Sequence, residues 1–220
     1  MESPSSTFKQ RRYALFARIG HALASDRRLE LLDLLAQAPR HVEALAAETG
    51  MSVASTSQHL QVLRNVHLVE AEREGTKIRY RLAGDDVLRL WLTLRSVAED
   101  HLAEVGQLVR EFSVEGAEGE EVWRRDLEAL VAADRITLID VRPRIEYEAG
   151  HVPGALSVPL DELPSRLSAL PKGKRIVAYC RGEYCQMADE AVALLRQRGF
   201  EAALLDGGWP EWRAEGRPTE

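Results

Sequence analysis

Residues 175–186 read RIVAYCRGEYCQ, and this stretch decides the fold of the second half of the chain. Its apolar and β-branched start is typical of a buried strand, predicted over residues 175–180 and ending on Cys180. A short loop leads directly into a helix that is predicted to begin near Gln186. Strands that alternate with helices in this way form mostly parallel sheets covered by helices. We therefore expect an α/β domain with Cys180 at the head of one of its helices.

The loop between this strand and helix is expected to make Cys180 reactive. Successive backbone N–H groups and the positive end of the helix would point at its sulfur and favour the thiolate, which is the nucleophilic form. Arg181 would add positive charge, and Gly182 would allow a tight turn. The remaining loop residues are Glu183, Tyr184 and Cys185. The alternative is a cysteine that only fills the end of a buried strand.

The two cysteines of the 220-residue chain, Cys180 and Cys185, lie in this one loop. A structural disulfide usually joins distant segments of secreted proteins, and one pair of thiols is too few for a thiolate-rich zinc site. The pair therefore indicates redox or nucleophilic chemistry, and no metal or other cofactor is expected. Cys185 could attack a persulfide on Cys180, which forms a disulfide and releases hydrosulfide, or could trap a sulfur atom between the two thiols. An unreactive Cys185 is the alternative.

Two regions of different periodicity flank residues 111–119, EFSVEGAEG, which are predicted to be a linker because they lack an apolar pattern. Residues 1–110 are predicted to form a mainly α domain. Its helices are expected over 8–23, 27–35, 42–49, 52–66 and 85–109, and its strands over 69–72 and 77–82. Residues 120–220 are predicted to form an α/β domain with a mostly parallel sheet. Its strands are expected over 136–141, 156–158, 175–180 and 202–205, and its helices over 127–132, 163–170 and 186–198.

A second motif of the C-terminal region is LIDVRPRIEYEAGHVPGA, residues 138–155. Together with YCRG at 179–182 and GGWPEW at 207–212, it resembles the rhodanese family over about residues 120–218. The resemblance implies that Cys180 accepts sulfane sulfur as a persulfide from a small donor such as thiosulfate or polysulfide. It also implies that Asp140 and Arg142 are active-site charges that organise the loop, while His151 is expected to brace the fold.

Two positions depart from the patterns of related folds. A phosphatase-type relative would close its longer loop with an arginine where Gln186 stands, so the sequence favours sulfur over phosphate as the ligand. Cys185 occupies a position at which many sulfurtransferases carry a polar or basic residue without a thiol. If Cys185 attacks a persulfide on Cys180, the added sulfur is removed. This reversibility is what a sensor needs.

Residues 42–66 have the length and the central glycine of a helix-turn-helix. Helical periodicity is expected to turn inward Leu45, Val53, Leu60 and Leu63. It is expected to turn outward Ala54, Ser55, Gln58 and Gln61. Small and uncharged polar side chains on the outward face suit close approach to the major groove of DNA and hydrogen bonds to base edges. Ser52 is expected to cap the second helix.

A basic hairpin is predicted next, around the turn signal Glu74-Gly75. Its cations are Arg73, Lys77, Arg79 and Arg81. They could grip phosphates or be solvated charges of an edge strand. Residues 48–82, ETGMSVASTSQHLQVLRNVHLVEAEREGTKIRYRL, resemble the helix-turn-helix and wing of the ArsR/SmtB repressors, and the resemblance extends over about residues 10–110. It implies a dimer that contacts double-stranded operator DNA through Ser52, Ala54, Ser55, Gln58, His59, Arg73 and Lys77.

The helix predicted over residues 85–109 carries a long apolar stripe, which favours a homodimer seam over a helix that covers only its own core. The stripe consists of Val87, Leu90, Leu94, Val97, His101, Val105 and Leu108. His101 is expected to be buried or at the interface. Metal sensing, which many ArsR-like proteins perform, is disfavoured because residues 1–110 lack cysteine. The candidate ligands Asp100, His101 and Glu104 also lack the paired spacing of that family.

Charge and hydropathy restrict the class of protein further. Residues 1–110 carry 15 Lys and Arg against 14 Asp and Glu, whereas residues 111–220 carry 14 against 21, so any DNA-binding surface is expected in the first half. With neither a membrane-length apolar run nor an apolar signal peptide, we expect no membrane partner and a cytoplasmic location. These features predict a transcriptional repressor that responds to reactive or sulfane sulfur through Cys180. The alternatives are a thiosulfate or persulfide sulfurtransferase with a regulatory DNA-binding domain and an ArsR-type metal or metalloid sensor.

Overall fold

The computed structural model describes residues 4–117, 119 and 121–220, and it divides the chain into two compact units. Unit 1 is Met1–Trp91 and unit 2 is Leu92–Glu220. This division falls before the expected end of the first domain at residue 110. The expected domain bounds of 1–110, 111–119 and 120–220 stay a prediction, and residues 118 and 120 lie outside the described residues.

Unit 1 is a helical domain with a small antiparallel sheet. Its helices are α1 (Pro4–Leu23), α2 (Asp26–Gln37), α3 (Val42–Thr49), α4 (Val53–Asn65) and the first part of α5 (Asp85–His101). Its strands are β1 (Arg40–His41), β2 (Val69–Glu74) and β3 (Lys77–Leu82), in the order β1-β3-β2. The mainly α winged helix-turn-helix fold is therefore confirmed. Strand β1 was not predicted, because two residues are too few to show a periodicity.

The core of unit 1 consists of leucines from four helices. Fully buried examples are Leu31, Leu45, Leu60, Leu63 and Leu88. The expectation that Val53 packs inward is wrong, because its side chain is exposed in the first turn of α4. Thr56 is buried instead, and its hydroxyl donates to the carbonyl of Ser52 at 3.0 Å.

Unit 2 is an α/β domain around a four-stranded parallel sheet with the order β5-β4-β6-β7. The strands are β4 (Ile136–Asp140), β5 (Leu156–Ser157), β6 (Arg175–Tyr179) and β7 (Ala202–Leu204). The helices after α5 are α6 (Ala103–Glu111), α7 (Arg124–Ala132), α8 (Arg144–Ala149), α9 (Leu163–Arg166) with a 3-10 turn over Leu167–Ala169, α10 (Gln186–Gln197) and α11 (Trp209–Ala214). Alternate residues of the strands enter two separate apolar clusters, one on each face of the sheet. The expected α/β architecture is confirmed.

The predicted helix over residues 85–109 is wrong as a single element. It is two helices, α5 and α6, because Leu102 is extended with φ −112° and caps α6. No proline or glycine marks this break in the sequence. Helices α8 and α11 were also not predicted, since each has six residues. None of the described helices is long and apolar enough to cross a membrane.

Candidate functional site

Residues 180–185, the cysteine loop, join the carboxyl end of β6 to the first residue of α10. Strand β6 lies between β4 and β7, so the loop follows a central strand of the parallel sheet and not an edge strand. Ligands of open α/β sheets bind at this edge, outside the carboxyl ends of the strands. The predicted strand ended on Cys180, whereas β6 ends one residue earlier, at Tyr179.

Gly208 packs directly against the cysteine loop. A methyl group added at this glycine would overlap the backbone of Cys180 and Gly182. The N–H of the next residue, Trp209, donates to the carbonyl of Cys180 at 3.1 Å. The cysteine loop and the start of α11 are therefore in backbone-to-backbone contact, which only glycine permits at position 208. The sequence reasoning placed this glycine in a family pattern but gave it no role.

Asp140 and Arg142 form a fully buried ion pair after β4. Nη2 of Arg142 lies 2.6 Å from Oδ2 of Asp140, and the same nitrogen donates to the carbonyl of Gly150 at 2.8 Å. The guanidinium also stacks over Trp209, 5.1 Å from the ring centroid. Among the described residues, no contact joins either side chain to the sulfur of Cys180. The loop-organising role that the family resemblance implies for these two charges stays a prediction, and the contacts of Arg142 are with Trp209 and Gly150.

Arg181 and Glu146 form a second ion pair. Nε of Arg181 lies 3.0 and 3.1 Å from the two carboxylate oxygens of Glu146, whose side chain is fully buried. This fork geometry fixes the start of the cysteine loop on α8. The pair also neutralises much of the positive charge that was expected to favour a thiolate at Cys180.

Cys180 is buried, with 2% of its surface exposed. Its thiol donates to the carbonyl oxygen of Cys185, 3.0 Å away. Burial, followed by the hydrogen bond to the Cys185 side chain, raises the pKa of the Cys180 thiol well above its ordinary value. Backbone hydrogen bonds with Ala188 and Gly182 lower this pKa, as the loop geometry predicts, but the loss of water around the sulfur outweighs them. The expected thiolate at Cys180 is therefore wrong for this conformation.

Cys185 is the more acidic of the two thiols. The hydrogen bond from Cys180 lowers the pKa of Cys185, and backbone hydrogen bonds with Arg181 and Met187 and the charge of Arg181 lower it further. Burial opposes these effects, but Cys185 is only partly buried. The loop N–H groups and the charge of Arg181 were expected to lower the pKa of Cys180, but they lower the pKa of Cys185. A sequence pattern cannot reveal this, because it does not say which thiol is desolvated.

Four further side chains, which we call the Arg95 cluster, connect the cysteine loop to α5 within unit 2. They are Arg95, Glu99, Tyr184 and Glu211. Arg95 pairs with Glu211 and lies over the ring of Tyr184, 5.3 Å from its centroid. Glu211 also accepts a hydrogen bond from the N–H of Gly208 at 2.9 Å. The sequence reasoning missed this cluster because it assigned the helix to a dimer seam, although Arg95 and Glu99 are charged neighbours at i and i+4 on its surface.

The outward face of α4 agrees with the sequence expectation in most positions. Ser52 caps the helix, since its hydroxyl accepts a hydrogen bond from the N–H of Ser55 at 3.1 Å, and this prediction is confirmed. Ser52, Ala54 and Gln58 are exposed. Ser55 and His59 are partly buried, and the hydroxyl of Ser55 lies 4.0 Å from the sulfur of Met51.

The wing is the hairpin of β2 and β3, whose last ladder pair is Glu74 with Lys77. Two of its cations are paired: Arg79 lies 3.2 Å from Glu74, and Arg81 contacts Glu70. Within the described part of the chain, Arg73 and Lys77 form no ion pair. The two residues that the sequence placed at the wing tip are therefore the cations available to a ligand.

The remaining sequence candidates lie away from these two sites. His151 stacks on Tyr147, with 3.7 Å between ring centroids, and lies 3.5 Å from Glu220, which agrees with its expected role as a brace. His101 is exposed at the end of α5, so its expected burial is not seen within one chain. The described residues contain no group of three or more potential metal ligands.

Comparison with protein families gives two matches. Residues 25–71 match the model "Bacterial regulatory protein, arsR family", and residues 124–215 match "Rhodanese-like domain". The first match contains the helix-turn-helix and the second contains the cysteine loop.

Two curated relatives and one solved structure are similar to the chain. The HTH-type transcriptional regulator Rv0324 of Mycobacterium tuberculosis is 48% identical over 204 residues, which are 93% of this chain and 89% of the relative. A sulfurtransferase of Allochromatium vinosum is 34% identical over 90 residues, 40% of this chain and 82% of that protein. The solution structure of the homodimeric winged helix-turn-helix DNA-binding domain of Mb0332 from Mycobacterium bovis is 48% identical, with a TM-score of 0.42, and covers 46% of this chain and 92% of that one.

The similarity to Rv0324 extends through both units, and the two family matches fall on the two sites described above. The chain therefore belongs to the arsR family of bacterial regulatory proteins, as an HTH-type transcriptional regulator that carries a C-terminal rhodanese-like domain.

Proposed function

We propose that the protein is a homodimeric repressor that binds operator DNA through α4 and the wing and releases it when the cysteine loop takes up sulfane sulfur. The observation that carries the proposal is the pair of hydrogen-bonded thiols, Cys180 and Cys185, one of which is acidified by the loop. Two adjacent thiols with different pKa values are what a persulfide and its resolving step require.

The DNA-binding part of the proposal rests on α4 and the wing. Helix α4 presents small and uncharged polar side chains, and its capped start leaves backbone N–H groups available to a phosphate. Arg73, which donates a hydrogen bond to the carbonyl of Gly75 at 3.1 Å, and Lys77 form no ion pair with any described residue, and they would position the protein on the DNA backbone. The proposed DNA contacts are Ser52, Ala54, Ser55, Gln58, His59, Arg73 and Lys77.

The dimer is supported by apolar side chains that one chain leaves uncovered. Helix α1 exposes Phe8, Tyr13, Leu15 and Phe16, and the predicted stripe exposes Leu90 and Val97 on α5. Large contiguous apolar surfaces on a folded protein mark interaction sites. The homodimeric state of the related Mycobacterium bovis domain agrees with a dimer here.

The sulfur step balances with the two thiols alone once a donor has delivered one sulfur atom. A thiolate of the loop attacks a polysulfide, forms one new S–S bond, and the shortened polysulfide leaves as an anion. The thiolate of Cys185 can then attack Sγ of a Cys180 persulfide, which forms a disulfide and expels the terminal sulfur as hydrosulfide. The two loop cysteines thus pass from a dithiol to a persulfide and then to a disulfide.

We propose that helix α5 transmits the effect of thiol modification from the cysteine loop to the DNA-binding unit. This helix begins in unit 1 and ends in unit 2, and its second part carries Arg95 and Glu99 against the cysteine loop. Modification of either thiol would displace the neighbouring Tyr184 and so change the contacts of this helix.

The test measures operator affinity by fluorescence anisotropy, with an operator selected from random-sequence duplexes. Treatment with sodium tetrasulfide should weaken binding about tenfold, a usual size for coupling between two sites. Cys180→Ser and Cys185→Ser should each abolish the response while they retain DNA binding. Unchanged affinity after persulfidation verified by intact mass would reject the proposal.

A working sulfurtransferase is a second candidate, favoured by the match to the Allochromatium vinosum sulfurtransferase over 82% of that protein. Continuous thiosulfate:cyanide turnover that disappears in Cys180→Ser, together with absence of DNA binding at moderate salt, would support it over the repressor.

A further inference from the structure

Two cavities open beside the cysteine loop, and they differ in size and lining. A narrow cleft of about 110 Å³ reaches Cys180 and also contacts Cys185. A larger cavity of about 690 Å³ reaches Cys185 but not Cys180. Cys185, Glu183 and Asp189 line both cavities, so Cys185 stands between the larger cavity and the buried thiol.

The wall of the larger cavity that faces the cysteine loop is apolar. It is formed by Val105, Leu108 and Val109 of α6 together with Phe112. A volume of this size is typical of sites for small organic molecules and exceeds what a thiosulfate ion needs. Hydrophobic surface around a thiol favours an uncharged ligand with apolar groups.

The polar groups around both thiols are acidic. Glu183 and Asp189 line both cavities, and Glu121 and Asp206 line the narrow cleft. Burial raises the pKa of Glu121, and the neighbouring charges of Asp206 and Asp189 raise it further, which indicates a negative potential at this point. Within the residues that the structure describes, Glu121, Glu183 and Asp189 make no ion pair.

Three cations near the loop are each paired with carboxylates, which weakens their effect on an approaching anion. Arg181 is held by Glu146, Arg95 by Glu211, and Arg124 lies between Asp206, at 3.4 Å, and Glu215, at 3.0 Å. A doubly charged anion such as thiosulfate would therefore meet unfavourable electrostatics on the way to either thiol. The expectation of thiosulfate or polysulfide as the donor came from the family resemblance alone.

We infer that the physiological sulfur donor is an uncharged organic polysulfide, that it binds in the apolar cavity beside α6, and that it reacts first with Cys185. This inference rests on the proposed uptake of sulfane sulfur by the cysteine loop and names its donor class. It reverses the order in which the family resemblance places the two thiols.

The reaction with a dialkyl trisulfide balances without another reactant. The Cys185 thiolate attacks the central sulfur, one S–S bond of the donor breaks, and a thiolate RS⁻ leaves. The departing RS⁻ takes the proton of Cys180. The Cys180 thiolate then attacks the same central sulfur and expels the second RS⁻. Solvent protonates this second RS⁻, which balances the proton that Cys185 released before the reaction. The two cysteines are oxidised to a bridge through one added sulfur atom, and the donor is reduced to two thiols.

The experiment compares donors on the intact protein by rapid quenching and intact mass. Dimethyl and diallyl trisulfide, which form the bridged product about 30 Da heavier, should consume the unmodified protein at least tenfold faster than thiosulfate at equal concentration. Thiosulfate instead gives a persulfide about 32 Da heavier and releases sulfite, so loss of the unmodified mass is the rate that is compared. In the variant with Glu183→Gln and Asp189→Asn, the thiosulfate rate should rise severalfold relative to the trisulfide rate. Equal or faster loading by thiosulfate in the unmodified protein, or an unchanged ratio in this variant, would overturn the inference.

A second variant tests the cavity. Leu108→Asn should slow diallyl trisulfide severalfold and leave the iodoacetamide reactivity of Cys185 unchanged, which also shows that the loop remains folded. Ile145→Asn on α8 is the matched control, because Ile145 is similarly exposed, 52% against 57% for Leu108, and does not line the cavity. A Leu108→Asn protein with an altered solution mass and an unaltered trisulfide rate would assign this face to a second copy of the chain and overturn the inference.

The two proposals fail differently. If tetrasulfide modifies the cysteines and weakens DNA binding while trisulfides do not react, only the donor inference is overturned. If none of the donors modifies either cysteine, the proposed sulfur response is overturned as well.

Discussion

Arg95 and Glu211 form an ion pair that joins the second part of α5 to the helix behind the cysteine loop. Both side chains are nearly buried, with 12% and 13% of their surfaces exposed. The same Glu211 holds the N–H of Gly208, and Gly208 contacts the loop backbone. A change in the shape of the loop therefore has a path to α5 through three contacts, from the loop to Gly208, from Gly208 to Glu211 and from Glu211 to Arg95.

Replacement of Arg95 should separate sulfur uptake from the DNA response. In Arg95→Met, tetrasulfide should still modify the cysteines at a similar rate, but the accompanying loss of operator affinity should fall from about tenfold to less than threefold. Anisotropy titrations before and after modification measure this. Arg110→Met is the control, since Arg110 is exposed on α6. A full response in Arg95→Met would exclude this path.

The pair of Arg181 and Glu146 should be essential for the stability of unit 2. Arg181→Met leaves the fully buried carboxylate of Glu146 without its cation, and we expect the free energy of unfolding to fall by about 3 kcal/mol. Urea denaturation followed by circular dichroism measures the change.

The matched control is Arg144→Met on the same helix. Arg144 lies 2.8 Å from Glu148, but both side chains are exposed, so the free energy of unfolding should barely change. A double variant, Glu146→Leu with Arg181→Met, should recover part of the loss because it removes the buried charge together with its partner. Equal effects of the two arginine replacements would contradict the assigned importance of burial.

The two thiols should differ in their response to pH. Alkylation by iodoacetamide requires the thiolate, so its rate rises with pH until the pH exceeds the thiol pKa. Because the pKa of Cys185 is lowered and that of Cys180 is raised, Cys185 should reach half of its maximal rate at a lower pH than an ordinary cysteine thiol, and Cys180 at a higher pH. Peptide mass mapping after timed quenching assigns each rate.

Two replacements of Cys180, by serine and by alanine, test whether its hydrogen bond lowers the pKa of Cys185. A serine hydroxyl donates a different hydrogen bond to the Cys185 sulfur, whereas Cys180→Ala removes the donor. The half-maximal pH of Cys185 should therefore move upward in Cys180→Ala and move less in Cys180→Ser. A profile of Cys185 that is the same in all three proteins would show that its partner does not acidify it.

Gly208 should tolerate no side chain. The added methyl of Gly208→Ala must displace the backbone of the cysteine loop, so we expect modification of Cys185 by tetrasulfide to slow at least tenfold and the unfolding free energy to drop by about 1–3 kcal/mol. Gly106→Ala, whose added methyl meets only the flexible side chain of Arg110 at 3.5 Å, should not slow modification of Cys185. It should raise the unfolding free energy by up to about 1 kcal/mol, because alanine is favoured over glycine inside a helix such as α6. Normal modification kinetics in Gly208→Ala would show that the loop does not rest on this glycine.

Periodicity and motif spacing predicted most of this architecture because the elements are long or carry turn residues. Strand β6, α3 with Gly50 at its end, and the Ser52 cap all follow from local rules. The break at Leu102 does not, since an extended leucine between two helices has no local signal. Short elements such as α8 and α11 fall below the length at which a period can be recognised.

The candidate site was predictable in its residue types and not in its electrostatics. The sequence placed Cys180, Arg181 and Cys185 in one loop, which the structure confirms. The acidity order of the thiols depends on which of them is buried and on the hydrogen bond between them. The partner of Arg181, Glu146, lies 35 positions away in the chain. The sequence shows that residues 111–220 carry an excess of Asp and Glu. Only the structure shows that several of these side chains lie around the two thiols.

The wing should contribute affinity to DNA without sequence preference. Arg73→Gln with Lys77→Gln removes two cations that form no ion pair within the described residues, so binding should weaken similarly on operator and random duplexes. The slope of log affinity against log salt should decrease in magnitude by about 2. Arg81→Gln is the control, since Arg81 is already paired with Glu70 and its replacement should change the slope less.

Gln58→Ala, on the exposed face of α4, should instead weaken operator binding more than random binding and leave the salt slope unaltered. Anisotropy titrations over a range of salt concentrations separate these effects. If the double wing variant leaves the salt slope unchanged, then the hairpin does not meet DNA phosphates and its charges serve only to protect a sheet edge.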